Sequence, residues 1–203
     1  SLQVNLHGPA ELAGQIPETV VLDGNGQPVA SPAFQPGFAY DPGSQEFNAA
    51  TVPNLAAGPY TVSFANLTVN GVTYAPDAAS LPASVTPGNG TPVDVTYTAT
   101  TGTVTIDFFG PDTLAGALPQ GVFLGTPDSG GTAVFTGPRA YDLGTGVFYE
   151  YTITGASLGN YTVNPSGFGF NGNYYQPLEG MVQQSLSGGQ SLNFQVHYEP
   201  TGP

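Results

Sequence analysis

The 203 residues carry 14 Asp and Glu against a single Lys or Arg, Arg139, for a formal charge of -13, and they include no Cys. Charged residues are 7% of the chain against the ~25% of ordinary domains, so Thr, Ser, Asn, Gln and Gly must cover the exterior and ion-pair networks cannot hold the fold. Neutralising phosphate requires Lys and Arg, which excludes nucleic acid and anionic lipid as partners, whereas a cationic partner or a metal ion would suit the field.

The length suits two domains of about 100 residues each, a size able to bury its own core. No apolar run approaches the ~18 residues of a membrane span, and the absence of Cys removes disulfides and thiolate chemistry. The chain opens at Ser1 without a Met, so either a signal peptide has been removed or this is a segment of something longer. The missing apolar N-terminal helix speaks against a type IV pilin. A Lys-free, Thr-, Gly- and Asn-rich composition punctuated by Pro points to an exported protein of the extracellular space or cell surface.

In chain order, a first strand runs from Ser1 to Leu6 and meets His7-Gly8-Pro9. Residues His7 to Leu22 then lie over Phe109 to Leu124 with a constant offset of 102, and Gly, Pro, Leu, Ala, Gly, Pro, Val and Leu recur in place. Asp23-Gly-Asn-Gly-Gln27 is a hairpin turn in this reading; it lacks the distant Glu of a calcium loop, and the second copy has Gly125-Thr-Pro-Asp128 there. After one indel the offset becomes 101: Ala39-Tyr40-Asp41 matches Ala140-Tyr141-Asp142, and Gly58, Tyr60, Thr61 and Val62 match Gly159, Tyr161, Thr162 and Val163. Asn70, Gly71, Tyr74 and Pro76 match Asn171, Gly172, Tyr175 and Pro177, and Val95 with Tyr97 matches Val196 with Tyr198. A register held this far is a duplication, with residues 1–100 as the first copy and 101–203 as the second.

The last strand of copy one runs into the first of copy two near Thr101-Gly102, with hardly any linker to let the copies swing. Thr201-Gly202 repeats that pair, so a third unit could begin there. Val104, Ile106 and Phe108, and later Leu192, Phe194, Val196 and Tyr198, alternate with polar neighbours, the period of a half-buried strand. With 29 Gly and 20 Pro between such runs, helices would be broken and turns are well supplied. The fold class is therefore all-β: two tandem immunoglobulin-like sandwiches of about seven strands each. Leu55-Ala-Ala-Gly58-Pro-Tyr60 and Leu158-Gly159-Asn-Tyr161 read as tyrosine corners, each hydroxyl bonding a backbone group upstream.

The order Val21-Leu22-Asp23-Gly24-Asn25-Gly26-Gln27-Pro28-Val29, then Leu55 to Val62, Tyr74-x-Pro76 and Val93-x-Val95-x-Tyr97 resembles the carboxypeptidase-regulatory-like and Cna-B-like domains. The resemblance covers most of each copy and implies a prealbumin-like sandwich used as a stalk or spacer in bacterial surface adhesins and pili, or in some relatives for binding starch. Many Cna-B-like domains carry a Lys-Asn isopeptide cross-link. This chain has no Lys to form one, so the resemblance implies strength from packing and backbone hydrogen bonds.

Equipment for catalysis is thin. His7 and His197 are the only histidines, they match Phe109 and Thr96 in the other copy, and both read as surface or strand-end residues. Asp41 and Asp142 recur, and each reads as an Asx turn accepting the amide two residues on. No catalytic residue, metal site or cofactor is expected. Tyr149, Tyr151 and Tyr174 lack aromatic counterparts in copy one and are expected on an exposed patch for carbohydrate or a neighbouring subunit, while Phe148 and Tyr175, matched by Phe47 and Tyr74, belong to the core. Asn66, Asn89 and Asn160 open glycosylation triplets. Leu2, Val4 and Leu6, with Phe194, Val196 and Tyr198, are expected on edge strands that a neighbouring chain completes through backbone hydrogen bonds. These features describe a non-catalytic structural module, a stalk, surface-layer or filament subunit joining head to tail with copies of itself; the alternative is a carbohydrate-binding or adhesin module.

Overall fold

The computed structural model describes residues 1–201, and the chain divides into two compact units, the first Ser1–Ala99 and the second from Thr100 onward. Gly202, on which a restart of the repeat would rest, lies outside the described residues. In the first unit the strands are β1 (Leu2–His7), β2 (Thr19–Asp23), β3 (Pro28–Ala30), β4 (Glu46–Val52), β5 (Gly58–Phe64), β6 (Leu67–Val69), β7 (Val72–Pro76), β8 (Ser80–Val85) and β9 (Thr91–Ala99). They form two sheets, β4-β1-β9-β7-β6 and β3-β2-β5-β8. The second unit has β10 (Thr101–Phe109), β11 (Phe123–Gly125), β12 (Gly130–Thr132), β13 (Val147–Ser157), β14 (Gly159–Asn164), β15 (Phe168–Phe170), β16 (Asn173–Pro177), β17 (Val182–Leu186) and β18 (Ser191–Thr201). Its sheets are β13-β10-β18-β16-β15 and β12-β11-β14-β17, the same plan.

Each unit is thus a β-sandwich, the architecture the resemblance implies. Among the described residues the strands are nine per unit and not about seven. The surplus lies in three-residue strands such as β3, β6, β12 and β15, too short to show an alternation in sequence.

The alternation delivers one core per unit. Leu2, Val4 and Leu6 of β1 are fully buried against Val21 and Val62 of the facing sheet, and Val104, Ile106 and Phe108 of β10 are equally buried in the second unit. Each such side chain contributes roughly 1.5–3 kcal/mol on leaving water. The recurring Gly-Pro opens a single 3-10 turn, Ala10–Leu12 or Asp112–Leu114, which drops a leucine with no exposed surface into the core. A Cβ on Gly8 would stand 2.9 Å from the Cδ1 of Leu12, and one on Gly110 2.5 Å from that of Leu114, so close packing fixes glycine there.

Tyrosine hydroxyls tie loops to strands at matching places. Tyr60 donates to the Ala56 carbonyl (3.0 Å) and Tyr161 to that of Ser157 (2.9 Å), each four residues upstream, as a tyrosine corner requires. Tyr97 donates to Ala65 O and Tyr198 to Ser166 O, while Tyr40 and Tyr141 reach the Gly8 and Gly110 carbonyls. Burial holds the Tyr97 and Tyr198 hydroxyls far above the usual phenol range.

One register differs from the sequence match. Val21 pairs with Val62, but Leu124 pairs with Val163, so Leu124, not Phe123, takes the place of Val21. The one-residue slip turns Phe123 outward, 42% exposed.

Candidate functional site

The tyrosines expected on one patch are dispersed. Both long edge strands carry a β-bulge: Leu6 pairs with Asn48 and His7 with Glu46, skipping Phe47, while Phe108 pairs with Tyr149 and Phe109 with Val147, skipping Phe148. The extra residue lets two successive side chains point inward. Tyr149 is therefore buried and not exposed, its ring against Phe135 (5.4 Å between centroids) and its hydroxyl donating to the Thr136 carbonyl at 2.9 Å. In the first unit Asn48 holds this position, and its Nδ2 donates to the matching carbonyl of Gln35. Tyr151 is half-buried, edge-on to Phe135 at 5.3 Å. Tyr174 alone is well exposed, on β16, and two strands separate β16 from β13, so roughly 14 Å divides it from the other two. Phe148 and Tyr175 are buried as expected.

The expected edge strands are interior. β1 lies between β4 and β9, and β18 between β10 and β16, so the backbones of Leu2, Val4 and Leu6 and of Phe194, Val196 and Tyr198 belong to strands already paired on both sides, and all six side chains are buried. The open edges are β4, β6, β3 and β8 in one unit and β13, β15, β12 and β17 in the other. The first and last strands of each unit instead pair with each other in parallel, Leu2 to His7 beside Thr91 to Thr96, and Thr103 to Phe109 beside Ser191 to His197.

Each histidine lies on the parallel pair of its own unit. His7 lies opposite Thr96, and His197 opposite Phe109, so each unit has one histidine at the same rung on alternate strands. His7 Nδ1 is 3.0 Å from the Ser44 carbonyl, and its Nε2 is 3.5 Å from Asp94 Oδ1, which also accepts Asn5 Nδ2 at 2.8 Å. Glu179 receives both the backbone N–H of His197 and its Nδ1, each at 2.6 Å, and the imidazole stacks on Phe109 at 4.6 Å. Both histidines are half-buried braces, His7 at the end of β1 and His197 within β18.

Asp41 Oδ1 accepts the Gly43 amide and Oδ2 the Ser44 hydroxyl, both at 2.8 Å; Asp142 does the same with Gly144 and Thr145. These bonds hold both carboxyls below the usual carboxylate range, led by the Gly43 amide at Asp41 and the Thr145 hydroxyl at Asp142. Asp23 closes its hairpin likewise through the amides of Gln27 and Asn25. Asn66, Asn89 and Asn160 are exposed. No group of three or more metal-ligating side chains occurs among the described residues.

Two adjoining hollows open on the second unit. A groove of about 690 Å³ is lined by Phe109, Leu178, His197, Glu199 and Pro200 among others, and a second of about 470 Å³ by Asp107, Arg139 and Glu150. Phe109 and Thr145 belong to both. Of the first groove's lining, Phe109, His197 and Tyr198 stood out in the sequence, none of them for a groove.

No family model and no curated protein matches the chain. The chain is similar to several solved structures, pilins and a putative adhesin among them. They include the Bacillus anthracis TIE protein (17% identity over 98% of this chain and 33% of that one, TM-score 0.39) and GBS52, the minor pilin of Streptococcus agalactiae (14%, 100% and 98%, 0.32). The shaft pilin SpaA of Lactobacillus rhamnosus GG is another (11%, 100% and 98%, 0.39). The chain spans about a third of the length of the TIE protein. Among the described residues no helix is long and apolar enough to cross a membrane.

Proposed function

We propose that the chain is a non-catalytic, extracellular structural module, a load-bearing segment of a stalk or filament whose copies join head to tail. The observation that carries this reading is the parallel pairing of the first and last strands in both units. Tension enters a unit at the start of one of these strands and leaves at the end of the other. Because the two strands run the same way side by side, that tension shears their ladder, and all of its hydrogen bonds must fail together. A ladder loaded from one end would instead open bond by bond. The side chains on its outer face reinforce it: Asn5 to Asp94 at 2.8 Å in one unit, Asn193 to Asp107 at 2.9 Å in the other. Strength here needs no Lys and no covalent link. A surface of Thr, Ser, Asn and Gln with almost no cations suits an exported protein, and the open edges β4 and β13, not β1 or β18, are the strands on which another chain could be added.

Single-molecule stretching tests this. Pulled through its ends, the chain is expected to give two ruptures, each releasing about 30–35 nm, the length of some hundred residues at ~3.3–3.6 Å apiece. Cys handles at Ala10→Cys and Thr98→Cys grip the same ends of β1 and β9 and unzip that pair. The end-to-end rupture of the first unit must occur at clearly higher force than this unzipping; equal forces would remove the load-bearing role.

A further inference from the structure

At the groove on the second unit the two copies differ in chemistry. At its rim the first unit carries His7, Asp77, Thr96 and Thr98; the second carries Phe109, Leu178, His197 and Glu199 at the matching positions. Leu178 is 61% exposed; Met181, three residues on, and Leu143, two residues before the groove's Thr145, replace Ser80 and Pro42 and are 70% and 86% exposed. Leu178 and Phe109, which both line the groove, give it an apolar floor where the first unit has Asp77 and His7. The rim is acidic as well. Glu179 is engaged by His197, but Glu199 and Glu150 are exposed beside the hollows, and Arg139 is the only permanent cation there.

We propose that this groove seats a cationic peptide segment of another protein, whose Lys or Arg side chains lay their alkyl stems on Leu178 and Phe109 and bring their charged ends to Glu199 and Glu150. Such side chains combine an apolar stem with a charged head, and the groove offers an apolar floor beside carboxylates. A second copy of this chain is the wrong occupant of the groove, since it brings no Lys and a single Arg to set against these carboxylates. A saccharide is disfavoured because, of the three rings lining the groove, Tyr198 is buried and Phe109 and His197 stack on each other with planes 13° apart, which uses one face of each. The proposal does not depend on the load-bearing reading.

The test uses the whole chain, a capped Leu-Lys-Leu-Lys-Leu peptide, the same peptide with Glu for Lys, and cellulose- and chitin-derived hexasaccharides. Calorimetric titration and backbone shift mapping would be run at near-physiological salt, where long-range attraction between exposed charges is screened beyond about 8 Å. The expected result is saturable binding of the Lys peptide alone, with shifts centred on Phe109, Leu178, His197 and Glu199. The double substitution Leu178→Asp with Glu199→Thr, which installs the first unit's residues on an exposed rim, is expected to weaken binding about tenfold, equivalent to ~1.4 kcal/mol, while an unchanged melting curve shows the fold intact. No binding, shifts spread over the carboxylates of both units, indifference to the double substitution, or groove shifts produced by a hexasaccharide instead would each overturn the proposal.

Discussion

At the outer end of the first and last strands one unit presents His7, Asp77, Asp94 and Thr96, and the other Phe109, Leu178, Gln195 and His197. Beneath these faces the units repeat each other closely: the same sheet order, the same bulge opposite the first strand, the same buried leucine after Gly-Pro and the same tyrosine ties. The difference shows which positions the scaffold needs and which it leaves open. Inward residues and loop-tying hydroxyls are held by packing and hydrogen bonds in both copies, while outward positions at this end have changed, His7 to Phe109 and Thr96 to His197 on the terminal strands and Asp77 to Leu178 beside them.

The largest effect that bears on this comparison is a cavity in one unit only. Phe47 and Phe148 are matched, bulged and fully buried, so Phe47→Ala or Phe148→Ala is expected to cost its own unit about 3–5 kcal/mol. Calorimetry should then show one transition moving and the other holding; if both fall together, the copies unfold as a single body. A smaller and symmetric loss is expected from Tyr97→Phe and Tyr198→Phe, which leave the Ala65 and Ser166 carbonyls without their donors and cost about 1–2 kcal/mol each. Both hydroxyls titrate above their unfolded value, so the stability they supply is complete below about pH 10 and is lost as pH rises beyond it. Melting curves from neutral to strongly alkaline pH should steepen above that point in the natural chain and flatten for the altered unit in each variant. The smallest effect belongs to the Asx turns. Asp41 and Asp142 titrate below their unfolded value, so their contribution is present above about pH 4 and lost as pH falls under it. Asp41→Asn and Asp142→Asn should blunt acid destabilisation to a similar degree, and a large difference between them would mean that the turns are not equivalent.

The sandwich, the duplication and the tyrosine corners were legible in the sequence because each rests on local signals: a period of two, a constant offset, and Gly before Tyr. The neighbours of each strand were not. Leu2, Val4 and Leu6 alternate with polar residues in the same way whether β1 sits at an edge or in the middle of a sheet, since in a sandwich either position buries one face, and its partner in β9 lies 89 residues away. Tyr149 was misplaced for a related reason. Strict alternation after Phe148 sends it outward, and only the pairing of β10 with β13 reveals the bulge that turns it in. The groove was invisible because Phe109, Leu178, His197 and Glu199 converge only once β10, β16 and β18 are assembled.

The distance in sequence between each unit's first and last strands also governs how the protein can be made. A growing or translocating chain carries β1 well before β9 exists, so half of that strand's ladder stays empty until the final tenth of the unit has emerged, and joining ends so far apart is slow. Each unit is complete only when its closing strand arrives, so in synthesis the units mature one after another.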